Sequence, residues 1–324
     1  TELRVVHAVA DAPLVNVYLD NDLVLDDFDF RDGTGYLEVP AGRYDVRVEA
    51  IVPGGNVDVI DAQNVQFRKD ERTTVYASGD TSDGTIAPLL VADPADAVAP
   101  GAVRAAVVHA APNAPEVSVF VTSPDADLAA SAPLGTFSFG ETLGPVEVPA
   151  GEYQVRVTLG TGTTVVFDSG PLTLAAGADL QIAAVTSTVS GDSPISLVVL
   201  DGNGSADLFD TGTGADVRVV HNSPDAPAVD VVVNDDFGNP VVTGLTFSEF
   251  TPFLSPPVPA GDYNFKVVDT ATQGFVAIDF DATLEAGTAY TVIANNFLAD
   301  IAQLVLVDNN RRVATEAKLR IVHG

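Results

Sequence analysis

Several residue types are missing from this chain of 324 residues, and each absence excludes a class of chemistry. The chain has no Cys, which excludes disulfides, thiolate metal sites and cysteine nucleophiles. It has no Met, so the sequence as written is not a primary translation product, and we expect that a secretory signal preceded Thr1. Apolar runs such as Leu197–Leu200 are only as long as a strand, so none of them predicts a membrane span.

Positive charge is also scarce. Lys and Arg total 15 against 45 Asp and Glu, which gives a net charge of -30. This balance excludes a surface that broadly attracts nucleic acid or anionic lipid. The acids are 34 Asp and 11 Glu, and the bases are 12 Arg and 3 Lys. Dense short carboxylates keep a protein soluble where salt screens their repulsion, so we interpret the chain as halophilic. The alternative is an ordinary acidic secreted protein.

The four histidines of the chain mark an internal repeat. Each one ends a segment of alternating apolar character: Arg4–His7, Ala106–His109, Arg218–His221 and Arg320–His323. Three of these segments lead into the same turn, in which an acid or amide is followed by Ala-Pro. The residues of this motif are His7, Asp11 and Pro13, then His109, Asn113 and Pro115, then His221, Asp225 and Pro227.

A second motif, Val-Pro-Ala-Gly-x-Tyr, occurs once in each repeat and ends at Tyr44, Tyr153 and Tyr263. Pro-Ala-Gly predicts a tight turn, since Gly can adopt positive φ. The tyrosine falls on one face of the strand that follows. We expect its ring to pack there and its hydroxyl to bond nearby backbone, as in a tyrosine corner.

The remaining segments also predict short strands separated by turns, with no sustained helical period. About seven strands per 100 residues is typical of a sandwich. The sequence therefore predicts an all-β protein of three tandem immunoglobulin-like or transthyretin-like β-sandwich modules. We place the modules at residues 1–95, 103–201 and 216–308, with polar linkers between them and an orphan strand at 317–324.

The paired motifs resemble the DUF4397 family, over three tandem copies from residue 3 to about residue 307. The resemblance implies an immunoglobulin-like or transthyretin-like sandwich and an extracellular setting. It implies no chemistry, because the family has no established catalytic residues. Repeat 2 departs from the pattern at Ala106 and Asn113, which weakens any role that needs Arg and Asp in every copy.

The recurring histidine has a metal-binding and a structural interpretation. One His and one carboxylate are too few ligands for a transition metal, and Asn113 is a poorer ligand than Asp. We therefore predict that the histidine bonds the following turn through the Asp or Asn oxygen. Because every His belongs to the repeat and no nucleophile motif occurs, we expect no enzymatic activity and no catalytic residues.

Calcium is the one cofactor that the sequence suggests. Asp201, Asn203 and Asp207 place oxygen ligands at alternating positions, as at the start of an EF-hand loop. Ala206 and Gly212 stand where that loop has Gly and Glu, so a solvated acidic loop is the simpler interpretation.

The C-terminal segment repeats the opening strand of a module, and no fourth module follows in the sequence. An unpaired strand presents open N–H and C=O groups that can add to a sheet edge. Three interpretations stay open: the segment adds to the next copy, the native chain continues, or the segment completes module 3. The intersubunit strand of the first interpretation consists of Leu319, Arg320, Ile321, Val322 and His323.

We therefore expect a secreted structural protein whose subunits join head to tail into an extracellular filament, sheath or surface layer. Its expected partner is a second copy of the protein, and binding to other cell-surface components is left open. We expect no nucleic acid binding and no membrane insertion. The alternative is a monomeric multi-module cell-surface adhesin or glycan-binding protein. The chain contains no Trp, which is weak evidence against loops that stack on sugars.

Overall fold

The computed structural model describes residues 1–323, and 24 strands make up nearly all of its regular structure. The first module contains β1 (Glu2–His7), β2 (Val15–Leu19), β3 (Asp22–Phe28), β4 (Leu37–Glu38), β5 (Gly42–Ala50), β6 (Val57–Phe67), β7 (Arg72–Ser78) and β8 (Ala87–Asp93). They form two sheets of four strands, ordered β4-β1-β7-β8 and β3-β2-β5-β6.

The second module repeats this topology and adds one strand. It contains β9 (Ala102–His109), β10 (Val117–Thr122), β11 (Gly135–Phe137), β12 (Thr142–Pro149), β13 (Gly151–Leu159), β14 (Val165–Leu174), β15 (Asp179–Thr186), β16 (Ile195–Leu200) and β17 (Ser205–Leu208), with a 3-10 turn at Leu128–Ala130. Its sheets are ordered β12-β9-β15-β16-β17 and β11-β10-β13-β14. The sequence predicts only a polar linker where β17 forms.

The third module contains β18 (Asp216–Asn222), β19 (Val229–Val233), β20 (Val242–Leu245), β21 (Gly261–Asp269), β22 (Val276–Leu284), β23 (Ala289–Asn295) and β24 (Ala302–Asp308), with a 3-10 turn at Leu298–Asp300. Its sheets are ordered β18-β23-β24 and β20-β19-β21-β22. Where β4 and β12 lie in the other modules, this one has isolated bridges at Val258 and Phe250. Prolines at 252, 256, 257 and 259 break up the ladder there, because each removes a backbone N–H.

Each module is therefore a β-sandwich, and the all-β fold predicted from the sequence is confirmed. Alternation explains it: Val15, Val17 and Leu19 of β2 face inward while Asn16 and Tyr18 face outward. One apolar cluster fills the space between the two sheets of each module. The opening strand is an interior strand in the first two modules, since β1 pairs with β7 in parallel and with β4 antiparallel.

The chain forms two compact units. The first comprises module 1, most of module 2 and residues 312–318, and the second comprises residues 189–192, 212–311 and, of the described residues after these, 319–323. Among the described residues no helix has the length and apolar character to cross a membrane.

Candidate functional site: a repeated sheet face, its edges and the tail

The histidines of the opening strands, His7, His109 and His221, are buried, each at 1% exposure or less. The Nε2 of His7 lies 3.2 Å from the carbonyl of Pro13, and the Nε2 of His221 lies 3.0 Å from that of Pro227. Because a carbonyl only accepts, Nε2 carries the proton in both rings. Their Nδ1 atoms accept backbone N–H groups from Val9 and Ser223 at 3.3 Å. These contacts use both ring nitrogens, which leaves no lone pair for a metal.

The second repeat has the same bond at 3.3 Å, from His109 to the Pro115 carbonyl. Burial lowers the pKa of His109, so this ring is neutral as well. The prediction that the histidines bond the Asp or Asn oxygen of the turn is wrong, because the proline carbonyl takes that position in all three repeats.

The Asp or Asn of the motif instead holds the loop that follows β7 or β23. Asp11 accepts from the backbone N–H of Thr81, and Asp225 accepts from that of Leu298 at 2.7 Å. Asn113 donates from Nδ2 to Asp80 of module 1 at 2.7 Å. Because a carboxylate only accepts, an Asp at this position could not bond Asp80, so this contact of repeat 2 requires the amide of Asn113.

The tyrosine of the second motif forms one bond in every module. The hydroxyls of Tyr44, Tyr153 and Tyr263 donate to the carbonyls of Pro40, Pro149 and Pro259 at 2.9, 2.8 and 2.8 Å. Each bond ties the tight turn to the strand that leaves it, so these residues are structural.

The sheets that contain the histidine strands also have an outer face, and in modules 1 and 2 these faces pack against each other. The apolar part of the contact is continuous from one module to the other. It consists of Val6, Ala8, Phe30, Tyr76 and Val91 from module 1 and Val108, Ala110, Ala183, Val185, Val198 and Leu200 from module 2. This shared core makes modules 1 and 2 one unit.

A buried polar cluster lies beside this shared core. In module 1, Nε of Arg4 donates to Thr74 at 2.9 Å, and Thr74 donates to Asp93 at 2.6 Å. Module 2 contributes Gln181, whose Oε1 accepts from Arg4 at 3.1 Å and from Tyr76 at 2.7 Å. The Nε2 of Gln181 donates to Asp93 at 2.6 Å. One amide therefore satisfies three groups that lie across the module boundary.

Module 3 contains the same trio of side chains at the same register. Arg4 pairs with Thr74 in module 1, and Arg218 pairs with Thr291 in module 3. Arg218 donates to Thr291 at 2.7 Å and to Asp308 at 3.1 Å. Its side chain is 39% exposed, against 2% for Arg4. The recurrence of Arg at both positions is a signal in the sequence, but its link with Asp93 and Asp308 comes only from the strand pairing.

The predicted calcium ligands have other partners. Asp201 accepts the backbone N–H groups of Asn203 and Gly204 at 2.9 and 3.2 Å, and these bonds lower its pKa. Asp207 lies on β17 and faces Arg31 at 3.4 Å. Within residues 1–323 no group of three or more His, Asp or Glu side chains is placed to hold a metal ion.

The outer edge of the histidine-strand sheet differs among the modules. In module 2, β17 pairs antiparallel with β16 from Leu197 to Leu200 and covers that edge. In modules 1 and 3 the sheet ends with β8 and β24. At this edge, Leu90 is 45% exposed and Val305 is 42% exposed.

The C-terminal tail, residues 319–323, forms no strand in the single chain. Leu319 and Ile321 are 86% and 85% exposed. Arg320 donates to Asp308 at 2.8 Å and to the Val307 carbonyl at 2.6 Å. The segment before the tail is anchored on module 1, where the N–H of Ala314 donates to the Asp11 carbonyl at 2.9 Å. The predicted orphan strand is thus an exposed apolar segment, and Gly324 lies outside the described residues.

Comparisons with known proteins give a family for this chain but no activity. No curated protein matches the sequence. Among solved structures, the Bacillus anthracis TIE protein is similar at 12% identity and a TM-score of 0.19, over 91% of this chain and 50% of that one. A product complex of SpuA, a multi-modular glycogen-degrading pneumococcal virulence factor, is similar at 12% identity and a TM-score of 0.19, over 85% of this chain and 37% of that one. This chain thus spans half or less of their lengths.

Three tandem segments, residues 1–120, 116–210 and 215–324, match the family described as "Domain of unknown function (DUF4397)". The first segment extends into the second sandwich and includes its histidine motif, so the second segment contains only the tyrosine motif of that module. The third segment contains both motifs of module 3. The chain therefore belongs to the DUF4397 family.

Proposed function

We propose that this chain is a secreted structural protein that self-associates into an extracellular filament, sheath or surface layer. The tail of one subunit adds as a strand to a sheet edge of the next. The observation that carries the proposal is the tail itself, in which Leu319 and Ile321 alternate along the chain and are both about 85% exposed.

Strand addition would convert this exposure into binding. Burying a Leu or Ile side chain contributes about 1.5–3 kcal/mol. Each ladder hydrogen bond adds about 0.5–1.5 kcal/mol. An added strand of five residues would resemble β17 in module 2, which forms four pairs with β16.

Charge favours the same contact. From residue 311 onward the chain contains Arg311, Arg312, Lys318 and Arg320 but a single acid, Glu316. This segment has a charge of +3, so the preceding 310 residues have a charge of -33 (the total is -30). The tail itself, residues 319–323, contributes Arg320 to this charge, and a cationic segment on an acidic protein is attracted to the body of another copy. Salt screens this attraction over a Debye length of about 8 Å or less, while the ladder and apolar burial persist.

The rest of the molecule suits a structural role. Modules 1 and 2 share one core and one buried polar cluster, so they act as a rigid spacer.

Each module has a cavity of about 240–260 Å³ between its sheets, lined mainly by aliphatic and aromatic side chains. A non-enzymatic role, a location outside the cell and adaptation to salt belong to the same proposal.

Deletion of residues 318–324 tests the proposal by negative-stain electron microscopy and light scattering. Full-length chains should form polymers, and the deletion should yield discrete particles. Ile321→Pro should also abolish polymers, because proline removes a ladder N–H, whereas the matched control Ile321→Val should retain them. Polymers that survive the deletion would reject the tail as the linker. Discrete full-length monomers would favour the adhesin.

A further inference from the structure

The outer face of the histidine-strand sheet of module 3 is apolar at the positions that modules 1 and 2 bury against each other. The strand registers identify these positions in each module. The residues of module 3 that correspond to Val6, Tyr76, Leu89 and Val91 of module 1 are Val220, Ile293, Leu304 and Leu306. A sheet face in contact with water usually carries polar residues at such positions, so this face has the composition of an interface.

This face is also less buried in module 3 than in module 1. Phe247 stands beside the histidine carbonyl as Phe30 does in module 1, and it is 46% exposed against 6% for Phe30. Val220 is partly exposed, whereas Val6 is completely buried. Ile293, on the central strand, is already buried in the single chain. The apolar area that a partner would cover therefore lies mainly on the flanking segments.

The contact between modules 1 and 2 shows how two such faces pair. Thr74 and Gln181 occupy equivalent positions, because each pairs in parallel with the residue three before its motif histidine. Both donate to the carboxylate of Asp93, each at 2.6 Å. Equivalent positions thus meet across the module boundary, as they do across the two-fold axis of an isologous dimer.

One position of module 3 excludes a partner built like module 2. A Cβ at Gly33 of module 1 would overlap Leu200 and lie 2.9 Å from the Cβ of Ser205 on β17. Phe250 takes the place of Gly33 in module 3 and is 70% exposed, so it leaves no room for a strand like β17. Beside Leu306, the equivalent of Leu200, no such strand follows. The face of module 3 therefore fits a second face of its own kind.

The polar trio of module 3 is also compatible with such a partner. In module 1 the partner module brings Gln181, which donates to the aspartate of the trio. In module 3 the corresponding oxygen of Asp308 accepts from Arg320 of the same chain. A partner that has Thr291 at the position of Gln181 therefore leaves this oxygen with a donor.

We propose that the outer face of the sheet β18-β23-β24 binds the same face of a second copy of this chain. The two-fold axis passes near Thr291, and Phe250 of one copy lies against Leu306 of the other. Within one chain the equivalent faces of modules 1 and 2 already cover each other, so the partner face comes from another chain. The contact is isologous and closed, and it does not rest on the proposed role of the tail.

The absence of cysteine allows a direct test by single-cysteine cross-linking. Full-length Phe250→Cys is mixed with full-length Leu306→Cys under mild oxidation, and mass spectrometry of linked peptides identifies the mixed disulfide, which can only be intermolecular. We expect it in several-fold excess over the matched control in which Val305→Cys replaces Leu306→Cys. Val305 is 42% exposed on the same strand, but its side chain lines the cavity between the sheets.

Sedimentation equilibrium measures the dimer without the tail strand. Full-length Ile321→Pro should form dimers, and adding Phe247→Glu should dissociate them. The matched control Phe139→Glu changes the equivalent residue of module 2, which is 40% exposed, and should leave the dimers intact. Circular dichroism checks that each variant is folded.

The outcomes separate this dimer from the polymer. Ile321→Pro chains that stay monomeric, equal dissociation by the two Glu variants, or a mixed disulfide no more abundant than with Val305→Cys would each overturn the dimer and leave the tail-dependent polymer standing. Polymers that persist in Ile321→Pro would instead count against the tail, and the cross-linking result would still decide whether the faces of module 3 meet.

Discussion

The same three side chains occur in modules 1 and 3, but the arginine is buried in one module and partly exposed in the other. Arg4, Thr74 and Asp93 are buried, and Arg4 is bonded to Gln181 of module 2. Arg218 and Asp308 form the same ion pair at 3.1 Å, but the Arg218 side chain is 39% exposed. Asp93 and Asp308 are similarly buried, at 7% and 9% exposure, so the neighbouring module determines how far the arginine, rather than the aspartate, is isolated from water.

The two aspartates differ in the side chain that donates to their Oδ1 atom. In module 1, Oδ1 of Asp93 accepts from the Gln181 amide at 2.6 Å. In module 3, Oδ1 of Asp308 accepts from the tail residue Arg320 at 2.8 Å. A buried pair is costly to break and an exposed pair is not, so equal substitutions in the two modules should have unequal effects.

The largest difference should come from Arg4→Ala and Arg218→Ala. Removing Arg4 leaves Asp93 buried without its cation and should destabilise the first unit by about 3–5 kcal/mol. Removing Arg218 should cost about 0–1 kcal/mol, because its side chain is 39% exposed and Arg320 still pairs with Asp308. Hydrogen exchange monitored by mass spectrometry can assign each loss, from peptides of β1 and β7 in one variant and β18 and β23 in the other. Equal losses would contradict the comparison.

The sequence predicts the sandwiches and their tyrosine turns because alternation and turn chemistry are local. It does not predict β17, since Ser205–Leu208 is polar and short and becomes a strand only beside the edge of β16. It also does not predict the packing of module 1 on module 2. Val6 and Val108 read as ordinary strand residues, and only the fold shows that both outer faces are covered.

Gln181→Ala should have the next largest effect, because it removes the amide that joins the two modules. Arg4, Tyr76 and Asp93 each lose one partner in a buried setting. We expect a loss of about 1–3 kcal/mol in the unfolding free energy of the first unit. Gln303→Ala, an exposed glutamine on β24, is the matched control and should change stability by less than about 0.5 kcal/mol. A silent Gln181→Ala would mean that the shared apolar core alone holds the modules together.

Alkaline pH should destabilise the first unit more than the second, by a smaller amount than the substitutions above. Burial raises the pKa of Tyr76 well above its usual value, and burial near Asp93 raises that of Tyr36. The neutral phenols therefore stabilise the folded state below pH 10, and this stability is lost as the unfolded chain ionises above pH 10. For each tyrosine the loss is at most about 1.4 kcal/mol per pH unit.

Urea unfolding at pH 8 and pH 11 measures this effect. Ile293 and Phe253 take the corresponding places in module 3, so the second unit has no such phenols there. Tyr76→Phe should reduce the alkaline loss of the first unit. An unchanged loss in that variant would place the responsible group elsewhere.

Salt should produce the smallest difference, and it tests whether exposure controls the energy of the pair. Arg218 and Arg320 are 39% and 46% exposed beside Asp308, so ions can screen them, whereas Arg4 is 2% exposed beside Asp93. The Debye length falls from about 10 Å at 0.1 M to 3 Å at 1 M. The cost of Asp308→Asn should therefore shrink by a few tenths of a kcal/mol over this range, while the cost of Asp93→Asn should stay constant. A parallel response would show that water and ions reach the cluster between modules 1 and 2, and that the shared core does not isolate it.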